Sequence, residues 1–382
     1  MSQKVWQTHN PSGSKRVIVT KTLPGARWLE VLAGSGSRVE VCTSPDILSV
    51  DEIKAAIGER CDGVIGQLTE DWGETLFAAL KAAGGKAYSN YAVGYNNVKV
   101  DIATNHGIPV GNTPGVLTET TAEMAVALTF AAARRVVEAD AFMRGGHYHG
   151  WLPTLFLGTL LKGATVGVIG AGRIGAAYAR MMVEGFKMNL VYYDLYQNKP
   201  LEQYIADYAD FLAEHGEPRV TCTRVDSPEA VLQQADVVSL HPVLDATTHH
   251  LMNAERLNLM KEEAILINAS RGPVIDEAAL VAHCQTHPNF RAGLDVFEDE
   301  PAMKPGLSDL PNVVIVPHIA SATSWTREGM ATLAASNVAG ILNGYPVWPD
   351  PNNILPFLGD NPPKAAPSIV NAKELGLPVA TA

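Results

Sequence analysis

The chain has 382 residues, 47% hydrophobic and 18% charged, enough for a sizeable core and for two domains. A formal net charge of −11, with no long run of lysine or arginine, speaks against a nucleic-acid-binding face. No apolar stretch reaches the roughly 18–20 residues that span a bilayer; the one at 125–133 is closed by Arg134 and Arg135.

Residues 1–15 are polar and lack the apolar centre of a secretory signal. Short β-rich runs follow at 17–20, 39–42, 63–67, 86–89 and 109–112, separated by helical patterns at 24–32, 50–57 and 74–83. Strands alternating with helices predict a parallel sheet covered on both faces. The turn Thr113-Pro114-Gly115 closes this series. One long alanine-rich helix is predicted over 120–142, with Thr118, Thr120 and Glu123 as capping candidates, bridging to a second series. Its strands are predicted at 164–169, 189–193, 236–240, 264–268, 291–295 and 313–316. From about residue 335 a helix runs back, and the proline-rich stretch 346–378 reads as extended. The expected organisation is a discontinuous first domain, 1–120 plus 340–382, around a second, 121–339. Cys42, Cys61, Cys222 and Cys284 are widely spaced without a C-x-x-C pair, which predicts buried reduced thiols rather than a zinc site.

The segment Gly170-Ala171-Gly172-Arg173-Ile174-Gly175 is a G-x-G-x-x-G, a pattern that glycine-rich chains also produce by chance. Its context is more telling. It follows the apolar run 164–169 and opens a helical pattern with small residues at Ala176, Ala177 and Ala179. Gly170 suits a tight turn, Gly172 a close approach of backbone to pyrophosphate, and Gly175 close helix–strand packing. The helix start offers N–H groups and partial positive charge to phosphate. Asp194 ends the next strand, nineteen positions after Gly175, where a carboxylate binds the ribose 2′-OH and repels a 2′-phosphate. The expected cofactor is therefore NAD, preferred over NADP.

Three later strand ends carry polar groups: Asn268-Ala269-Ser270-Arg271-Gly272, Asp295 through Glu300-Pro301, and Pro317-His318-Ile319. Open α/β sheets bind ligands at such carboxyl ends. Reduction of a 2-oxo acid needs a proton on the developing alkoxide, and histidine is suited to give it near neutral pH. A neighbouring glutamate would favour the imidazolium and orient the ring. An arginine fork would clamp the carboxylate and polarise the carbonyl.

Together these segments resemble the signature of the D-isomer-specific 2-hydroxyacid dehydrogenases. The resemblance covers nearly the whole chain, and runs such as 61–76, 92–97, 111–122, 161–195 and 271–279 are similar to its plant and algal NADH-dependent hydroxypyruvate reductase branch. It implies two doubly wound parallel-sheet domains, a flavodoxin-like substrate domain and a Rossmann NAD-binding domain. It also implies a catalytic set of Arg271, Glu300 and His318. The cofactor-binding set it implies is Gly170, Gly172, Arg173, Ile174, Gly175, Asp194, Pro242, Ala269, Asp295 and His318, with Pro242 on the adenosine side, Ala269 near the nicotinamide ribose and Asp295 on the carboxamide. The substrate set is Val93, Gly94, Arg271, His318 and Trp151, the first two as backbone N–H donors and Trp151 reaching the site of a partner subunit. The family often has aspartate where this chain has Asn96.

The expected activity is photorespiratory-type reduction of hydroxypyruvate to D-glycerate, and of glyoxylate to glycolate, by a homodimer without metal. The alternatives are a phosphoglycerate or other D-2-hydroxyacid dehydrogenase, or a non-catalytic NAD-sensing scaffold. His147 and His149 are read as a flexible turn, and His249-His250 as equally bland. The plant relatives end in a peroxisomal tripeptide, whereas this chain ends Val379-Ala380-Thr381-Ala382. Mitochondrial or cytoplasmic residence is thus expected ahead of peroxisomal.

Overall fold

A computed structural model describes residues 5–381. The chain divides into two compact units, 1–117 with 322–382, and 118–321.

The first unit holds a six-stranded sheet: β1 (Trp6–His9), β2 (Lys15–Val19), β3 (Ser37–Cys42), β4 (Gly63–Gly66), β5 (Ala87–Asn90) and β6 (Val110–Gly111), in the order β1-β3-β2-β4-β5-β6. Strands β2 to β6 are parallel. Their order is the flavodoxin-like doubly wound arrangement. The antiparallel edge strand β1 pairs with β3 and went unpredicted, because Trp-Gln-Thr-His has no apolar alternation. Helices α1 (Arg27–Gly34), α2 (Val50–Ile57), α3 (Glu74–Ala82) and α4 (Val100–Asn105) connect the strands. The start of α2 follows from its sequence: the Ser49 and Glu52 side chains each accept from the other's backbone N–H.

The second unit opens with α5 (Thr118–Ala133) and α6 (Val136–Arg144). The single helix expected over 120–142 is broken, and Arg135 takes a left-handed conformation (φ 53°) at the break. The Ala133 carbonyl accepts instead from the Thr159 N–H (2.9 Å), a partner 26 residues on that no local pattern announces. Next come β7 (Thr165–Ile169), α7 (Arg173–Phe186), β8 (Asn189–Tyr193), α8 (Lys199–Glu214), β9 (Cys222–Arg224), α9 (Pro228–Gln234), β10 (Val237–Leu240), α10 (Ala254–Leu257), β11 (Ile265–Asn268), α11 (Glu277–Thr286), β12 (Arg291–Leu294) and β13 (Val313–Ile315). The seven strands are parallel in the order β13-β12-β11-β10-β7-β8-β9, a Rossmann arrangement with one further strand. Alternate residues feed opposite cores. Val237, Ile265 and Ile267 face α5 and α7, whereas Val238 and Leu266 face the side of α9 and α11. Each such fully buried side chain contributes about 1.5–3 kcal/mol.

The chain returns to the first unit earlier than the expected boundary at 339/340. Helix α12 (Ser324–Leu342) packs on α1, β4 and β5, which puts the boundary at 321/322. Its buried run of small residues (Ala331, Ala334, Ala335) lets it lie close to the sheet, but it also hides the helical period that would mark its start. The stretch expected to be extended contains α13 (Leu355–Leu358), is bridged to itself at Val347 with Ala366, and joins its neighbours through the Gly111–Ile369 bridge and the side chains of Ser368 and Asn371. Cys42, Cys61 and Cys284 are buried and Cys222 is partly so; burial pushes the Cys61, Cys222 and Cys284 thiols up to about 12. Among the described residues no helix is long and apolar enough to cross a membrane.

Candidate active site

The glycine turn lies between β7 and α7, at the carboxyl end of an interior strand flanked by β10 and β8. Gly170 has φ +92°, and a Cβ there would stand 2.6 Å from the His241 carbonyl carbon and 2.7 Å from the Pro242 nitrogen. A Cβ on Gly175 would stand 2.1 Å from the Gly170 oxygen. Both positions exclude a side chain, the first by conformation and contact, the second by contact alone. Gly172 is different: a Cβ there would meet nothing within 4 Å. Protein packing does not require glycine at this point, so the open space fits a ligand's backbone approach. Gly172 is also the N-cap of α7 and makes no side-chain cap at the start of this 14-residue helix, the end whose partial positive charge favours phosphate. The donor set thus fits a dinucleotide.

Arg173 is exposed, Ile174 is partly buried at the helix start, and Asp194 follows β8, its Oδ1 accepting from the Tyr196 N–H (2.9 Å). Pro242 lies against the turn, and Ala269 is buried. Asn198, not singled out from the sequence, donates to the Ala171 carbonyl (2.7 Å) and fixes the turn from the side. Its only signal was a helix N-cap, since it also accepts from the Leu201 N–H.

The later strand ends assemble around His318. Its Nδ1 donates to Glu300 Oε2 (2.9 Å), and Glu300 Oε1 accepts from the Phe297 N–H (3.0 Å). Burial pushes the Glu300 carboxyl up, but the His318 hydrogen bond and charge, the Phe297 N–H and the Arg271 charge together bring it below the usual carboxylate range. Glu300 therefore stays ionised well into the acid range.

His318 itself has φ +52°, uncommon for a residue with a side chain. Asp295 holds that turn. Its carbonyl accepts from the His318 N–H (2.9 Å), and its carboxylate accepts from the Ile319 (2.6 Å) and Ala320 (2.9 Å) N–H groups. Asp295 is fully buried, and burial raises its carboxyl despite those donors and the His318 charge. The resemblance gave it a cofactor role; the geometry adds the support of the His318 backbone.

Arg271 follows β11. Asn268, fully buried, shapes its turn by donating to the Arg271 carbonyl (2.9 Å) and accepting from the Ser270 N–H (3.0 Å) and Oγ (2.7 Å). Arg271 Nη1 donates to the Ser270 carbonyl (2.6 Å). Burial lowers the guanidinium's pKa, opposed by Glu300; the group nevertheless stays charged. A Cβ on Gly272 would stand 1.8 Å from the Phe297 oxygen, so the Arg271 turn and the Glu300 loop press backbone to backbone. Arg271, Glu300 and His318 are brought together on one unit.

Val93 and Gly94 belong to the first unit. Asn112 Nδ2 donates to the Val93 carbonyl (2.9 Å), and Asn90 Nδ2 to the Gly94 carbonyl (3.0 Å). In a trans peptide the Gly94 N–H points opposite the Val93 carbonyl, away from Asn112. Asn97, next to the Asn96 noted from the sequence, braces this loop by donating to the Gln67 and Glu70 carbonyls (both 3.0 Å). Trp151 is 79% exposed, in a stretch without helix or strand. His147 packs on the Phe142 ring, with centroids 5.5 Å apart.

A family model described as the NAD-binding domain of the D-isomer specific 2-hydroxyacid dehydrogenases matches residues 126–320. The chain belongs to that family. It is 66% identical over 376 residues to a protein of Arabidopsis thaliana named glycerate dehydrogenase HPR, peroxisomal, covering 98% of this chain and 97% of that one. A glyoxylate reductase of Thermococcus litoralis is 45% identical over 264 residues, 68% of this chain and 74% of that protein. Among solved structures, a Thermus thermophilus protein superposes with a TM-score of 0.77 at 37% identity, covering 93% of this chain and 99% of that one. As a 2-hydroxyacid dehydrogenase with an NAD-binding domain, the protein is an oxidoreductase acting on a small 2-hydroxy or 2-oxo acid.

Proposed function

We propose that the enzyme reduces hydroxypyruvate to D-glycerate with NADH, and glyoxylate to glycolate as a second reaction. The observation that carries this reading is the His318–Glu300 pair, on the same unit as the dinucleotide turn. Because Glu300 takes Nδ1, the Nε2 edge of the imidazole is left to face a substrate oxygen. Similarity over 98% of the chain to a glycerate dehydrogenase supports the choice of oxo acid.

In this reading the first unit is the substrate-binding domain and the second the NAD-binding domain. Arg271 clamps the substrate carboxylate and polarises the adjacent carbonyl, with the Val93 and Gly94 N–H groups as further donors. Bound NADH supplies the hydride. His318 gives its proton to the oxygen that becomes hydroxyl, and Glu300, ionised throughout, stabilises the imidazolium and holds the ring. Asp194 takes the ribose hydroxyl; Asp295 keeps the His318 turn in place and offers its remaining lone pairs to the carboxamide.

The test is cofactor oxidation with hydroxypyruvate, glyoxylate, phosphohydroxypyruvate and pyruvate in parallel, with NADH and then NADPH. Hydroxypyruvate with NADH is expected to give the highest kcat/KM. NADPH is expected to be poorer by about tenfold or more, because Asp194 would face a phosphate instead of a hydroxyl. A preference for phosphohydroxypyruvate would replace the reading with phosphoglycerate dehydrogenase, and no turnover with any acid would favour a scaffold.

A homodimer is part of the same proposal. Helix α6 and the stretch after it expose Val137, Met143, Trp151, Leu152 and Leu160, large apolar side chains of the kind a partner subunit covers. Trp151 then reaches the partner's substrate. Light scattering is expected to give twice the chain mass at micromolar protein; the mass of one chain would contradict the dimer.

A further inference from the structure

Glu277 is 3% exposed and belongs to none of the groups assigned above. It is the first residue of α11, and its carboxylate reaches out of the helix to the loop that carries Glu300. Oε2 accepts from the Glu298 N–H (2.8 Å) and Oε1 from the Lys304 N–H (2.6 Å). The two bonds therefore bracket Glu300. Between them the chain makes a turn closed by the Ala302 N–H on the Asp299 carbonyl (2.9 Å). The arrangement is reciprocal: Glu298 Oε2 accepts from the Glu277 N–H (3.2 Å), satisfying an orphan donor at the start of α11 where a carboxylate is favoured. Glu298 Oε1 takes His250 Nε2 (2.9 Å), and the His250 N–H donates to the Pro273 carbonyl (2.8 Å), two residues after Arg271. His250, one of the pair that looked bland in the sequence, thus ties the Arg271 turn to the Glu300 loop.

A buried carboxylate is costly unless its oxygens are satisfied. Here both are satisfied by the backbone of one loop, on either side of one functional residue. We propose that Glu277 is a positioning residue, which with Glu298 latches the 298–304 loop so that Glu300 is held against His318. The inference rests on the reading of His318 and Glu300 as the proton-donating pair. Glutamine at 277 is nearly isosteric but keeps one acceptor oxygen; its NH2 would face a backbone N–H, donor against donor. One end of the loop would be released, and Glu300 with it.

The groups facing His318 are Glu300 and Asp295, with Arg271 acting on Glu300. Of these, Glu300 is the one the latch controls. Loss of its grip frees the ring to turn and withdraws the carboxylate that faces the positive charge during proton transfer. Glu277→Gln is expected to lower kcat about ten- to a hundredfold while the KM and the NADH Kd change by no more than about twofold. The alkaline limb of its kcat profile should move to lower pH. Glu298→Gln, farther from the core, should move the limb the same way by less, and it decides the matter if Glu277→Gln does not fold. A wild-type limb that neither variant moves would overturn the latch, whatever happens to thermal stability. A wild-type profile with no alkaline limb would instead remove His318 from proton transfer, and the latch with it.

Discussion

His318→Ala is expected to lower kcat for hydroxypyruvate reduction by about a hundred- to ten-thousandfold, the range a positioned general acid supplies. NADH affinity should fall far less than kcat, because the glycine turn and Asp194 stand at the ends of β7 and β8, four and five strands along the sheet from β13. The substitution does more than delete a proton source. Glu300 Oε2 loses its hydrogen-bond partner, and the half-buried carboxylate keeps only the Phe297 N–H and the Arg271 charge. An uncompensated negative charge would then stand where the substrate's own anion must come, so the KM for the oxo acid should rise as well. Single-turnover oxidation of bound NADH separates the two effects, since it reads the chemical step with substrate saturating. A single-turnover rate within about threefold of wild type would remove the histidine from the mechanism.

Arg271→Lys is expected to cost about a hundredfold or more in kcat/KM, although the charge is kept. The Asn268 bonds to the Arg271 carbonyl and to Ser270 aim a planar fork of donors from a fixed turn. Lysine offers a point charge on a flexible stem and cannot meet a carboxylate with two parallel bonds. Truncating one partner of a buried, hydrogen-bonded charge pair costs about 2–5 kcal/mol, and the lysine variant should fall toward the lower part of that range. The loss should appear in both KM and kcat, because in the proposed reaction the same guanidinium also polarises the carbonyl as charge develops. Steady-state kinetics over a wide range of hydroxypyruvate concentration decides it; a change below about fivefold would mean that another group holds the carboxylate.

Sequence showed the parts of this protein that chemistry or local geometry dictates. Gly170 and Gly175 were legible because no side chain fits there, and Gly172 because the packing leaves room for a ligand. Six of the seven strands of the second unit stood out as apolar runs because both of their faces are covered, whereas the edge strand β9, Cys222-Thr223-Arg224, is largely exposed, has no apolar run and escaped. Glu300 and His318 were legible only together, and the structure puts them 2.9 Å apart. What escaped depends on partners remote in the chain. The break after α5 is set by Thr159, the return into the first unit by the packing of α12 on α1, and the bracing of Val93 and Gly94 by Asn90, Asn97 and Asn112. Glu277 read as an ordinary acidic residue at a helix start. Only folding shows that its carboxylate is buried and turned onto another loop.

The proton held by His318 is the centre of this account, and one pair of profiles tests it: kcat against pH for hydroxypyruvate reduction and for D-glycerate oxidation by the wild-type enzyme. Reduction needs the imidazolium, so its rate should fall as pH rises. Oxidation needs the neutral ring as base, so its rate should rise over the same interval, while Glu300, held below the usual carboxylate range, stays ionised in both. Profiles that mirror each other are the expected result; profiles that are both flat, or that move in the same direction with pH, would contradict it.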